Sequence, residues 1–449
     1  MKDKMRQYAG IDELPPTSQQ VALKFLALQL TRIASVQIVS TFFILFLLDA
    51  ITFRELGILL ALQLMIIALL DYPTGALGDW IGHKWVLFLA YCCYALGTII
   101  LLLANSFEEF LLFGLFSGIG FSQESGALEA WFDNNYRASI GEFDPDRTIY
   151  GAYQGKVFAM IGLVSGVSFI LGGLVAAAFS RKALFLIQLG LIAVVLVFII
   201  LLMNNVEGIE APKGSLRTYG QQLAGGFRFT VSTRGVFFYM IGASFTLGGI
   251  IAIWGSLLLF PYYESYSGSD DYTGLLRAII FFTSIFWQVI AAEFSKKVSR
   301  VRQGIFVTAF MAGPVFFLFA FLYYELVPPT YAFVLATYVG TIIVFQFIGI
   351  FESLGGILRN RLQLELVPDR YRNAVYSLFS TFIVSFGAPL VFLGGFVIDE
   401  YGFAAGILLN AILSAIGIFI TGLGLYWLPE PGTGQSLSLE KNDINNASQ

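Results

Sequence analysis

Glu142-Phe-Asp-Pro145-Asp146-Arg147 returns later in the chain as Glu365-Leu-Val-Pro368-Asp369-Arg370, at an offset of 223. After each copy an apolar stretch runs to a glycine pair, Gly172-Gly173 and Gly394-Gly395, at an offset of 222. Two separate signals at nearly one spacing mark an internal repeat of about half the chain. In a chain this apolar, an even repeat implies a membrane protein of two related halves.

Composition sets the solvent. Hydrophobic residues make up 57% and charged residues 12%, against roughly 45–50% and 25% in soluble domains. With a mean hydropathy of +0.77, a water-soluble core of 449 residues is a poor reading. The 45 Phe and 46 Gly suit helices in lipid, where aromatics anchor and glycines let backbones approach. Cys92 and Cys93 are adjacent inside an apolar run and read as small apolar side chains, not a disulfide framework. Residues 1–20 are polar, with Pro15 and Pro16 before an N-cap at Ser18, and do not read as a signal peptide.

Twelve spanning helices are expected, near 21–48, 55–76, 85–104, 108–135, 149–179, 183–203, 235–263, 272–295, 304–325, 329–358, 371–398 and 402–428. The fold class is therefore an all-α membrane protein of two pseudo-symmetric six-helix bundles, 21–203 and 235–428. An N-terminal segment (1–20), a central loop (204–234) and a disordered tail (429–449) lie outside them. In the loop, Leu216, Tyr219, Leu223 and Phe227 share one helical face, as an amphipathic surface helix requires. Loop charge tests the count. With twelve spans, 21 of the 26 Lys and Arg fall on one side; Arg54, Arg181, Lys182 and Arg277 fall on the other, and Arg32 lies inside a span. The positive-inside rule then puts both termini in the cytoplasm of a multi-pass cell-membrane protein.

Between spans two and three the chain reads Gly75-Ala-Leu-Gly-Asp79-Trp-Ile-Gly82-His83-Lys84. Two glycines make a tight turn flanked by Asp79 and Lys84. The stretch resembles the signature loop of the major facilitator superfamily, Gly-x-Leu-x-Asp-Arg-x-Gly-Arg-Lys. Gly75, Leu77, Asp79, Gly82 and Lys84 match, while Trp80 and His83 replace two arginines. The resemblance extends to Asp71-x-Pro73-Thr74-Gly75 and to Ser125-Gly126-Ala127-x-Glu129-Ala130 in span four. It implies a conformational gate of Gly75, Asp79, Gly82, Lys84 and Asp71, with Asp79 against the start of span eleven when the carrier opens outward. A carboxylate at a helix N-terminus is favourable by roughly 0.3–1 kcal/mol. It departs from the drug–proton antiporters, since Gly114 stands where their span-four arginine would be and their span-five Gly-Pro signature is missing.

Ionisable groups inside spans are functional hypotheses. At ~1.5 Å per residue, Arg32 and Glu124 each lie ~17 Å from the cytoplasmic ends of spans one and four. The resemblance implies that spans one, four, seven and ten line a central cavity, so Arg32 and Glu124 should face each other there. Gln29, Gln37, Gln123 and Gln346 would add hydrogen-bonding groups. Either the pair is structural, or Glu124 exchanges a proton with Arg32 as its partner or as a site for a substrate anion. Glu129 and Glu352 match across the repeat and read as scaffold. Arg277, near the outer end of span eight, is expected to snorkel to headgroups. Phe245, Trp254, Tyr338, Phe345 and Phe347 suggest an aromatic second-half cavity.

The function expected is a secondary active transporter of a small solute, working by alternating access and coupled to protons. An uncoupled facilitator, or a transporter-like receptor or scaffold, is the alternative. A membrane enzyme lacks support: the one histidine sits in a loop, and no Ser-His constellation or metal-spaced cluster appears. No Walker loop supports ATP-driven pumping. No cofactor, metal or nucleic-acid partner is expected, and a monomer is.

Overall fold

The computed structural model describes residues 11–12, 14–124, 126–141, 143–206, 224–225, 227–367 and 372–428, with side chains 71–80, 364, 372–374 and 377 left aside. The amphipathic face expected at 216–223, the tail 429–449 and the second Pro-Asp-Arg copy lie outside the described residues.

All regular structure here is helical. The first span is Pro16–Ser40, continued after a break by Phe43–Leu48. The second to sixth are Phe53–Ile81, His83–Leu103, Phe107–Glu124 with Ala127–Ile140, Thr148–Ala178, and Arg181–Leu202. The seventh is Arg234–Gly249, Ile250–Leu258 and Leu259–Ser267, its middle piece π-helical. The eighth is Asp270–Ser295, and the ninth, Val301–Leu326, is broken around Gly313 and Pro314. Leu335–Leu366, Arg372–Tyr401 and Phe403–Trp427 complete the chain. Eleven of these are long and apolar enough to cross a membrane. The fourth differs because it is divided, and its first piece carries Glu108, Glu109 and Glu124.

Local chemistry sets the starts. Thr52 and Glu55 form a reciprocal capping box on the second span, with bonds of 2.9 and 3.3 Å. Ser180 caps the sixth span through the N–H of Ala183. The signature stretch is not a two-glycine turn. The second span stays helical through Gly75 to Ile81, and the chain turns only at Gly82, whose φ of 89° suits glycine. Lys84 then bonds Ile200 O at 2.8 Å and Asn204 Oδ1 at 3.2 Å, placing a cation on the C-terminal carbonyls of the sixth span.

The first Pro-Asp-Arg copy ties the fourth span to the fifth. Asp144 is buried. It accepts the N–H groups of Ile149 (3.2 Å) and Tyr150 (3.0 Å) and the Tyr136 hydroxyl (3.0 Å). Arg147 pairs with Asp133 and lies 4.1 Å over the Tyr150 ring. At the 223 offset, Asp133 corresponds to Gly356 and Asp144 to Val367, so the repeat keeps the turn sequence but not these partners.

The glycine pairs have a shared purpose. A Cβ on Gly172 would lie 2.6 Å from Ile38 O of the first span, and one on Gly173 would lie 3.1 Å from Gly274 Cα of the eighth. Likewise Gly394 packs on Ile253 and Leu257 of the seventh span, while a Cβ on Gly395 would lie 2.4 Å from Phe53 O and 2.9 Å from Gly57 Cα of the second. Each pair thus seats its helix against one span of its own half and one of the other half. Both seams lie at the end opposite Gly82, called here the far end. There Arg181 pairs with Asp49, Glu264 and Asp270, and Arg54 approaches Asp399 and Glu400 at 3.9 and 3.8 Å. Among the described residues every ion pair between chain halves lies at this end. The core follows suit. One cluster at the far end draws on both halves, from Ile38 to Ala411, whereas the signature end has two separate clusters, one within 11–203 and one within 236–428. The halves are joined at the far end and parted at the other.

Two tests follow from this packing. Gly395→Val removes backbone contact at one seam; spin labels at Ala50 and Tyr401 should then report longer distances, and an unchanged distribution would show that the glycine does not limit the approach. Asp144 supplies the second. Burial acts to raise its carboxyl, but the N–H groups of Tyr150 and Ile149 and the Tyr136 hydroxyl outweigh this and hold it below the usual carboxylate range. Because the folded value is the lower one, the stabilisation is present above the ordinary aspartate range and is lost as pH falls through the folded value. Asp144→Asn should lower the unfolding temperature at pH 7, equivalent to about 1 kcal/mol. The difference from wild type should shrink below about pH 4, and a gap as large at pH 3 as at pH 7 would contradict it.

Candidate functional site

Arg32, in the first span, is the centre of the site. Its Nη1 donates to Glu124 Oε1 at 2.9 Å and its Nη2 to Glu129 Oε1 at 3.2 Å. Arg32 and Glu124 side chains are only 15% and 12% exposed, whereas Glu129 is 47% exposed. Two tyrosines of the third span complete the shell of Glu124. Tyr94 donates to Oε2 at 2.6 Å and Tyr91 to Oε1 at 3.2 Å. Gly120 makes this reach feasible: a Cβ there would lie 2.9 Å from the Tyr94 ring, one turn before Glu124.

The break in the fourth span is what joins the two carboxylates. In a continuous α-helix, residues five apart point about 140° away from each other. Glu124 ends one helix and Glu129 sits in the first turn of the next, with Gly126 between them at φ 73°. No atom lies within 4 Å of a Cβ built on Gly126, so the dihedral, not crowding, calls for glycine. The bend lets one guanidinium hold a carboxylate from each piece. One cation thus faces two anions.

Of the expected site residues, the structure brings Arg32 and Glu124 into contact. Gln29 and Gln123 are close in sequence to the pair, but each keeps a buried carbonyl oxygen with no hydrogen-bond partner. Gln37 accepts from Ser40 at 2.9 Å. Gln346 bonds Thr283 and Trp287, within the second half. The side chains of Asp71 and Asp79 lie outside the described residues, as does the partner turn expected for Asp79. Glu129 and its repeat match Glu352 each hold an arginine, Arg32 of another span for the one and Arg359 of its own helix for the other. Trp254, Tyr338 and Phe345 are core residues of the far-end cluster and not a cavity lining, because aromatic neighbours enclose them. Tyr91 and Tyr94 were not singled out from sequence; a Tyr-x-x-Tyr step facing Gly120-x-x-x-Glu124 is the signal that carries them.

The model of the Major Facilitator Superfamily matches residues 25–388. The chain belongs to that superfamily. No curated protein matches this facilitator by sequence. Among solved structures, nucleoside transporter NupG is similar at 15% identity and a TM-score of 0.67, over 92% of this chain and 100% of that one. A bacterial homolog of the human lysosomal transporter Spinster, in an inward-facing and unoccupied conformation, is similar at 13% identity and 0.65, over 92% and 98%. A POT family transporter in complex with 5-aminolevulinic acid is similar at 14% and 0.65, over 92% and 96%. At such identities the likeness shows the fold alone. As a facilitator, this chain is a multi-pass membrane protein that transports solute and is not an enzyme.

The geometry predicts strong coupling around Arg32. Arg32→Met should leave the buried Glu124 carboxylate without its cation and destabilise the facilitator by about 3 kcal/mol. Glu124→Gln in the same chain should recover part of that loss. Unfolding of the single and double variants in detergent gives the coupling, and strictly additive effects would show that the two residues act independently.

Proposed function

We propose that this facilitator is a secondary active transporter of a small solute, working by alternating access across the cell membrane and coupled to protons through Glu124. The observation that carries the reading is the single arginine bridging two carboxylates across a bent span. When Glu124 takes a proton, Arg32 keeps Glu129 as its counter-ion, so no buried cation is stranded. Protonation changes the bridge from two-sided to one-sided. Since the carboxylates lie on either side of Gly126, that change biases the two pieces of span four and, with them, the conformational equilibrium. Tyr91 and Tyr94 hold the ionised carboxylate in register with Arg32 until the proton arrives.

The loop-charge bias favours a cytoplasmic signature end and cytoplasmic termini. On that orientation, the parting of the two cores at the signature end is an inward-open state, and the glycine seams with their Arg181 and Arg54 pairs close the outer side. The conformational gate of Gly75, Asp79, Gly82, Lys84 and Asp71 then sits at the open mouth.

Uptake into proteoliposomes, with and without an inward proton gradient, tests this. The wild type should accumulate solute only with the gradient. Glu124→Gln should retain exchange at equal concentrations and lose accumulation. An unchanged gradient response in that variant would remove proton coupling through Glu124, and solute entry indifferent to pH in both proteins would favour an uncoupled facilitator.

A further inference from the structure

Arg277 does not reach outward as its sequence position suggested; its side chain turns onto neighbouring spans. It lies seven residues inside the eighth span, about 10 Å from the far end, where four spans from both halves meet. Its Nη1 donates to Ser40 Oγ and Thr41 Oγ1, both at 2.8 Å, at the break in the first span. Ser40 is itself oriented by Gln37. The guanidinium lies 3.8 Å over the Phe169 ring and 4.6 Å from the Phe260 ring.

Its charge sets it apart. Arg32, Arg181 and Arg359 each pair with carboxylates, and the closure at the rim uses such pairs. Among the described residues no carboxylate pairs with Arg277; neutral hydroxyls and ring faces take its place. A contact serving only to close the far end has no need of an uncompensated cation. The remaining edge of the guanidinium, Nε and Nη2, bonds no described group of the protein. Neither is among the buried polar atoms left without a partner, as Nε of Arg32 is. That free edge is the fork a carboxylate binds with two parallel hydrogen bonds.

We propose that Arg277 anchors the carboxylate of the transported solute, an organic monoanion with an apolar body. One cation balances one carboxylate; a phosphate dianion would retain net charge among phenyl rings. Phe169 and Phe260 favour an apolar moiety beside the anion. Ser40 and Thr41 hold one side of the guanidinium, so the free edge has a fixed orientation. When the far end opens, those hydroxyls withdraw with the first half, and the anchored anion keeps the cation compensated. Arg32, already facing two carboxylates, is a poor second site for an anion.

This inference rests on the transport reading, and binding keeps the two separable. Thermal unfolding of the purified full chain in detergent at pH 7.5 is followed with benzoate, with its neutral isostere benzamide, and with inorganic phosphate. Benzoate should raise the unfolding temperature saturably, and benzamide and phosphate should not. Arg277→Gln should abolish the shift; Arg277→Lys, which keeps charge but loses the fork, should weaken apparent benzoate affinity about tenfold. If Arg277→Gln does not fold, the lysine variant decides. Absence of a benzoate shift in the wild type, equal shifts with benzamide, or wild-type affinity in either variant overturns the proposal. No gradient enters this measurement, so its failure leaves proton coupling at Glu124 untouched, and failed coupling leaves the binding result standing.

Discussion

Backbone contact at two glycine seams is the constraint on which the rest of the architecture depends. Gly173 meets Gly274 and Gly395 meets Gly57 at distances no side chain would permit. Lipid provides no hydrophobic drive between helices, so such close packing and the polar contacts around it supply the attachment. With the halves pinned at the far end, the cores fuse there and stay divided at the signature end. The ion pairs of Arg181 and Arg54 reach across only because the seams bring their helices close.

Charge is distributed by depth. At the far rim, arginines are matched by carboxylates of the opposite half. In the wall of the first half, Arg32 is over-matched by Glu124 and Glu129. Between them, Arg277 has hydroxyls and rings but no anion among the described residues. Charges buried in a low-dielectric region are compensated or functional. Arg32 thus has one carboxylate more than it needs, and Arg277 has none among the described residues. The two imbalances have opposite signs.

Much of the fold was legible in the sequence, and particular residues show where legibility ended. Apolar run lengths located the helices, because in lipid only internally bonded helices can satisfy the backbone. The division of span four was not legible: Gly126 sits in a helical pattern, and glycines in membrane helices more often serve packing than breaks. Arg32 and Glu124 stood out because charge in a span is rare. The repeat matched Glu129 to Glu352 but not their partners, Arg32 of another span and Arg359 of the same helix. Arg277 was placed at the surface because depth was counted along the chain, and nothing there foretold that the Ser40–Thr41 break would receive its side chain.

The sequence by itself determined the solvent and the helical class. Each follows from composition and spacing along one chain, and each is enforced by the cost of bare backbone in hydrocarbon. Only the tertiary structure decided which charges compensate one another and which end is closed. Those depend on contacts between residues far apart in the chain, 92 positions for Arg32 and Glu124 and 237 for Arg277 and Ser40. They are set by helix breaks and glycine approaches whose effect exists only once the spans are packed.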